Sequence, residues 1–156
     1  HKDIIEKNTN LKNVINLAGN LWSLETFEIL EKNSKKQKKD FVSIMQTNNW
    51  HKNTMDAISF CSYKKMDYKL IAPAPYEQFL NNLSENSKFA FFPKTPETLS
   101  RICVEARMMN MSVITNKNVG ASYEHWFNFK GLDMIEFMKN KRFEIKNVIK
   151  GLVYEK

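Results

Sequence analysis

Apolar and polar positions change rhythm near residue 41. Before it, LKNVINLAG and WSLETFEILEK carry apolar residues at mixed spacing, so residues 1–40 have a helical tendency without a clean stripe. Asn20 or Ser23 stands where a residue could cap the second of these segments. From Phe41 onward, short apolar runs alternate with helix-period segments. Phe41–Met45 reads as a strand, NNWHKN as a polar loop, TMDAISFCSYKK as a helix and Tyr68–Ile71 as a strand, and PAP forms a turn through which no strand continues. YEQFLNNLS then reads as a helix, Phe89–Phe92 as a strand, the segment after Thr95 as a helix and Ser112–Thr115 as a strand. NVGASYEHWF follows as loop and short helix, and a final helix runs from about Asp133. Strands separated by crossover helices predict an α/β domain, Rossmann-like, with a parallel sheet covered on both faces. Residues 41–156 would form that domain, with residues 1–40 as a helical lead-in and a Lys-rich loop.

The stretch FAFFPKTPETLSRICVEARMMNMSVITN carries the densest local signals. Thr95 suits an N-cap, Pro96 the first helical position and Glu97 the first turn, where acidic charge complements the helix dipole. On a continuous helix Glu97 and Glu105 would differ by only about 80° around the axis and face one cleft, with Arg101 between them. Leu99, Ile102, Cys103, Ala106 and Met109 share one arc, which predicts the face packed on the sheet. Val104 and Met108 lie on the charged side, so a ligand or another domain is expected to cover that side. The plainer alternative is a solvated stripe of i,i+4 ion pairs. In parallel sheets ligands bind at the carboxyl ends of the strands, where NNWHKN, APAPY with Tyr76, PKTPET and NKNVGA all emerge.

Composition narrows the classes. At 156 residues the chain is one domain's worth of sequence, with 24 basic and 17 acidic residues and a formal charge of +7. The run from Lys32 to Lys39 reads as a solvated loop, with peripheral contact to a phosphate-rich partner or membrane surface left open. Aromatic residues do not alternate with these lysines, so no nucleic-acid platform is expected. Cys61 and Cys103 lack CxxC spacing and read as buried thiols. His1, His51 and His125 lack the spacing of a metal set, so no metal is expected. The three tryptophans and eight methionines read as core material. With no signal peptide and no apolar run near the ~18 residues of a membrane span, a soluble cytoplasmic protein is expected.

PETLSRICVEA, with seven residues between Glu97 and Glu105, resembles the E-x7-E motif of group 1 retaining glycosyltransferases of the GT-B fold. The resemblance runs from about Phe41 to Met138, the carboxyl-terminal half of such an enzyme, and includes Trp50-His51-Lys52 as a phosphate-binding Lys loop and SVITNKNVGASYE as a strand, Gly loop and Glu. Asn53 follows Lys52 where that family commonly has Gly, and Thr98-Leu99 and the single Gly120 replace its aromatic and paired glycine residues. The resemblance implies a Rossmann-like domain that binds a nucleoside-diphosphate sugar without a metal or other cofactor. Glu105 would accept hydrogen bonds from ribose, Glu97 would position the donor sugar as the catalytic carboxylate, and Lys52 would neutralise the leaving diphosphate. The N–H groups of Thr98 and Leu99 would add positive potential at a helix N-terminus. Arg101, Tyr76 and Gly120 complete the candidate binding set. It also implies an acceptor-binding amino-terminal domain in the complete protein, so the chain alone is expected to be inactive in transfer. Two alternatives stand beside it: a non-catalytic nucleotide or nucleotide-sugar binding module, and a basic interaction domain that uses Lys32–Lys39.

Overall fold

The computed structural model describes residues 2–11 and 14–154. Four strands, β1 (Lys39–Met45), β2 (Tyr68–Ile71), β3 (Asn86–Phe91) and β4 (Ser112–Thr115), form one sheet in the order β2-β1-β3-β4. Every neighbouring pair is parallel, with Val42 opposite Tyr68 and Lys88, and Phe89 opposite Val113. The fold is therefore the α/β, Rossmann-like arrangement that the strand–helix alternation predicts. Helices α1 (Lys2–Asn8), α2 (Leu24–Ser34), α3 (Thr54–Tyr63), α4 (Tyr76–Leu83), α5 (Arg101–Met108) and α6 (Gly131–Tyr154) complete it, with two 3-10 turns at Gly120–Tyr123 and His125–Asn128.

The two sheet faces are covered unequally, and alternation along β1 shows why. Val42 and Ile44 point to one face, where they pack with Ala57 and Cys61 of α3 and Ala90 of β3. Phe89 and Phe91 of β3 point to the other, into a larger core shared with Leu80 of α4, Cys103 and Ala106 of α5, and Met134 and Met138 of α6. Both cysteines are free and buried, as their apolar settings predict.

The lead-in is part of this second core. Trp22, Phe27 and Leu30 are buried within it, and α2 starts at the Ser23 cap, whose Oγ accepts the Thr26 N–H at 3.1 Å. A boundary at residue 40 falls inside β1 and would cut these side chains from their neighbours. The helical tendency of LKNVINLAG is not realised in residues 14–19, which carry no helix; Lys12 and Asn13 lie outside the described residues.

The lysine run is a solvated loop only in part, at Lys35–Gln37 between α2 and β1. Lys32 lies in α2, Lys39 opens β1, and the half-buried Lys38 donates from Nζ to the carbonyls of Asn33 (3.1 Å) and Ser84 (2.8 Å), where α2 and α4 end. A cation at two helix C-termini is favourably placed. Burial, and then the charge of Lys36, push its pKa down to about 8. The neighbouring buried polar groups are chained together: Ser84 Oγ donates to Asn33 Oδ1, Ser43 Oγ to the Leu83 carbonyl, and Asn86 Nδ2 to Ser43 Oγ. That chain explains why β3 begins at Asn86, three residues before the apolar run.

Candidate functional site

The loops that leave β1 and β3 diverge to helices on opposite faces of the sheet. In parallel sheets the crevice formed at such a reversal of strand order is where ligands bind. Here that crevice is a cleft of about 530 Å³ lined by Met45, Lys52, Tyr76, Phe79, Glu97, Ser100, Arg101, Ile102 and Glu105.

The first loop is built by local hydrogen bonds. Thr54 Oγ1 donates to the Met45 carbonyl at 2.8 Å, Asn49 Oδ1 accepts the His51 N–H at 3.0 Å, and the Asn49 carbonyl accepts the Lys52 N–H at 3.0 Å. Asn53 then turns the chain through the left-handed region (φ 56°), which Asn tolerates better than most residues, and its Nδ2 donates to the Phe92 carbonyl. Lys52 is thereby directed across the crevice. Its Nζ pairs with Glu97 Oε1 at 2.6 Å and lies 5.6 Å from the centre of the Phe91 ring.

Glu97 is not in a helix, contrary to the reading of Thr95 as N-cap and Pro96 as first helical residue. Its N–H donates to the Asn118 carbonyl and its carbonyl accepts the Gly120 N–H, each at 2.8 Å, so it forms an isolated parallel bridge with the β4 loop. Asn116 and Asn118 brace that loop by donating to the Pro93 carbonyl at 3.0 and 2.8 Å. With its backbone held there, residue 97 cannot join a helix, and α5 starts only at Arg101, after Ser100 at φ 58°. The Thr98 and Leu99 N–H groups therefore do not form a helix N-terminus.

Glu105 is 3% exposed. The side of α5 expected to be covered by a ligand or another domain is covered by the chain's own α2 and α6, beneath which Val104 and Met108 are buried. Glu105 Oε1 accepts from Tyr76 OH at 2.7 Å, Trp22 Nε1 at 2.9 Å and Arg101 at 3.3 Å. No donor among the described residues reaches Oε2, and the residue lines the cleft. Burial, and then the Glu105 charge, raise the Tyr76 pKa, which keeps the phenol protonated as a donor.

Lys52, Tyr76, Glu97, Arg101 and Glu105 thus meet in one cleft. Thr98, Leu99 and Gly120 line a separate cavity of about 300 Å³ against residues 14–19, where Asn16 Nδ2 donates to Glu124 Oε1 at 2.9 Å. Trp22 is the site residue that sequence reasoning missed. It lies in a segment without regular apolar period, and its partner is 83 positions away. The signal that could have found it is a lone Trp with a donor to satisfy, since a buried indole N–H needs an acceptor. Ser100 is also new to the set: it is 7% exposed, it lines the cleft, and its Oγ has no hydrogen-bond partner among the described residues.

No group of three or more His, Cys, Asp or Glu among the described residues is arranged to hold a metal, and no described helix is long and apolar enough to cross a membrane. No protein-family model, curated protein or solved structure matches this chain.

Proposed function

We propose that this chain is the donor-binding domain of a glycosyltransferase, taking a nucleoside-diphosphate sugar in the crevice between β1 and β3. The observation that carries this reading is the convergence of Lys52, Glu97 and Glu105, from two loops and a helix, on one cleft at the reversal of strand order. In this reading the free Oε2 of Glu105 accepts from a ribose hydroxyl while Trp22 and Tyr76 hold Oε1. Lys52 exchanges its contact with Glu97 for the diphosphate, and Glu97, released, accepts from hydroxyls of the donor sugar. The N-terminal turn of α5, with Ser100 Oγ, faces the phosphates.

The backbone at Asn53 adds support. The resembling family commonly has Gly after its phosphate-loop Lys, and Asn53 takes the left-handed conformation that Gly adopts freely. By contrast, the reading as a basic interaction domain loses one of its cations, because Lys38, near the end of the run, is committed to two internal carbonyls. A transfer step needs an acceptor held within about 3–3.5 Å of the anomeric carbon. In this reading an amino-terminal domain of the complete protein supplies it.

The test is calorimetry with uridine, guanosine and adenosine diphosphates, in the presence of a chelator. One of them binds, and Glu105→Ala weakens it by on the order of 1–3 kcal/mol while thermal melting shows the variant folded. Equal affinity in a folded Glu105→Ala protein removes Glu105 from the site. Absence of binding for all three removes the reading.

A further inference from the structure

Of the three tryptophans, two are buried and one is not: Trp22 is 2% exposed, Trp126 is fully buried, and Trp50 is 60% exposed. Trp50 sits in the loop after β1, two residues before Lys52, and stacks on His51 with ring centres 4.0 Å apart. The imidazole Nδ1 lies 3.3 Å from Thr95 Oγ1, and the His51 backbone is held by the Lys94 N–H donating to its carbonyl at 2.9 Å. An exposed indole backed in this way is a rigid plate with a single open face.

Trp50 walls a second groove of about 460 Å³, distinct from the cleft that holds Lys52 and Glu105. The groove lies on the α3 side of the sheet, with Ile58 and Leu70 in its lining. Gln46, Asn48 and Asp56 line the same groove with hydrogen-bonding atoms to spare, all three exposed and engaged in no side-chain hydrogen bond among the described residues.

We infer that this groove is a saccharide-binding subsite, with a pyranose ring laid against Trp50 and its hydroxyls bonded to the amides and the carboxylate. The chemistry selects this ligand class. The apolar C–H face of a pyranose matches a flat aromatic plate, and its equatorial hydroxyls need neutral donors and acceptors in the plane of the ring, which Gln and Asn supply in both senses. A phosphate-bearing ligand would want cations, and Lys94 is the one cation among the described residues that line this groove, which also has the opposing charge of Asp56. Where the donor reading above holds, the subsite is an additional sugar contact on the loop that carries Lys52, apart from the acceptor that the amino-terminal domain holds. The inference stands without that reading, because the two grooves share no lining residue.

The experiment is saturation-transfer NMR on the whole chain with maltose, cellobiose, mannobiose and diacetylchitobiose, alongside intrinsic fluorescence titration. At least one disaccharide gives saturable binding, with transfer strongest to the ring C–H protons. Trp50→Ala lowers that affinity tenfold or more, Trp50→Phe recovers part of it, and Asp56→Asn changes the preference among the four sugars. Glu105→Ala leaves saccharide binding intact, so failure of the nucleotide reading and failure of this one are separable. No saturable binding by any of the four, or binding that is equal in a folded Trp50→Ala protein, overturns the inference. So does a nucleoside diphosphate that competes with the sugar at Trp50, which would assign the plate to a base.

Discussion

Trp22→Phe tests whether the segment before α2 belongs to the site. The indole is 2% exposed, donates to the buried Glu105 carboxylate at 2.9 Å and lies 5.5 Å from the Arg101 guanidinium. Phenylalanine keeps an aromatic ring but has no N–H, so Glu105 Oε1 loses one of its three donors. A hydrogen bond to a charged group contributes about 1.5–3 kcal/mol. The smaller ring leaves a void costing roughly another 1–2 kcal/mol. The sum, about 2.5–5 kcal/mol, is a large fraction of the ~5–15 kcal/mol that holds an ordinary domain together. With a urea slope of about 2 kcal/mol per molar, the unfolding midpoint falls by about 1.2–2.5 M. A double-mutant cycle isolates the hydrogen bond: in a Glu105→Gln background, where the acceptor is neutral, Trp22→Phe costs about 1 kcal/mol less. A midpoint unchanged by Trp22→Phe, or an equal cost in the two backgrounds, would show that Trp22 does not hold Glu105.

Three further outcomes follow from the same geometry. Lys38 has a folded pKa of about 8 against an unfolded value near 10.5, so between those values the unfolded chain binds the extra proton. Its contribution to stability therefore rises from pH 8 to pH 10, and the slope of urea midpoint against pH is flatter in Lys38→Met. A fragment of residues 41–156 gives no cooperative unfolding transition, because it lacks Trp22, Phe27 and Leu30 of the main core and the first two residues of β1; circular dichroism on heating reads this. In a complete protein with an acceptor domain, Glu97→Ala lowers turnover more than nucleotide affinity, measured as release of nucleoside diphosphate, since its proposed contact is to the sugar.

How much of this was legible in the sequence varies with the range of the interaction responsible. β2 and β4 begin and end where their apolar runs do, and the parallel sheet follows from the crossover helices between strands. β3 starts early because Asn86, polar and unremarkable in a row of letters, is buried against Ser43 on a neighbouring strand. The start of α5 departs from its local signals for the same kind of reason. Thr95, Pro96 and Glu97 are sound local signals for a helix start, but the Asn118 carbonyl and the Gly120 N–H take both backbone groups of Glu97. The wheel of α5 correctly marked Val104 and Met108 as needing cover, yet it could not say that α2 and α6 provide it. Both glutamates line one cleft, but by a loop and a helix, so the helical spacing that suggested it is not the cause. The least legible element was the segment before α2, whose role rests on one indole N–H.

The most direct test of the central claim is an amide NMR titration of the ¹⁵N-labelled chain with nucleoside diphosphate and then with the corresponding nucleotide-sugar. The account predicts that the diphosphate shifts the amides of Lys52, Ser100, Arg101 and Glu105, and that the sugar nucleotide adds a further shift at Glu97 and its bridge partner Val119. Shifts confined to Lys32–Lys39 and other exposed lysines, weakening steeply with salt and indifferent to the sugar, would contradict it.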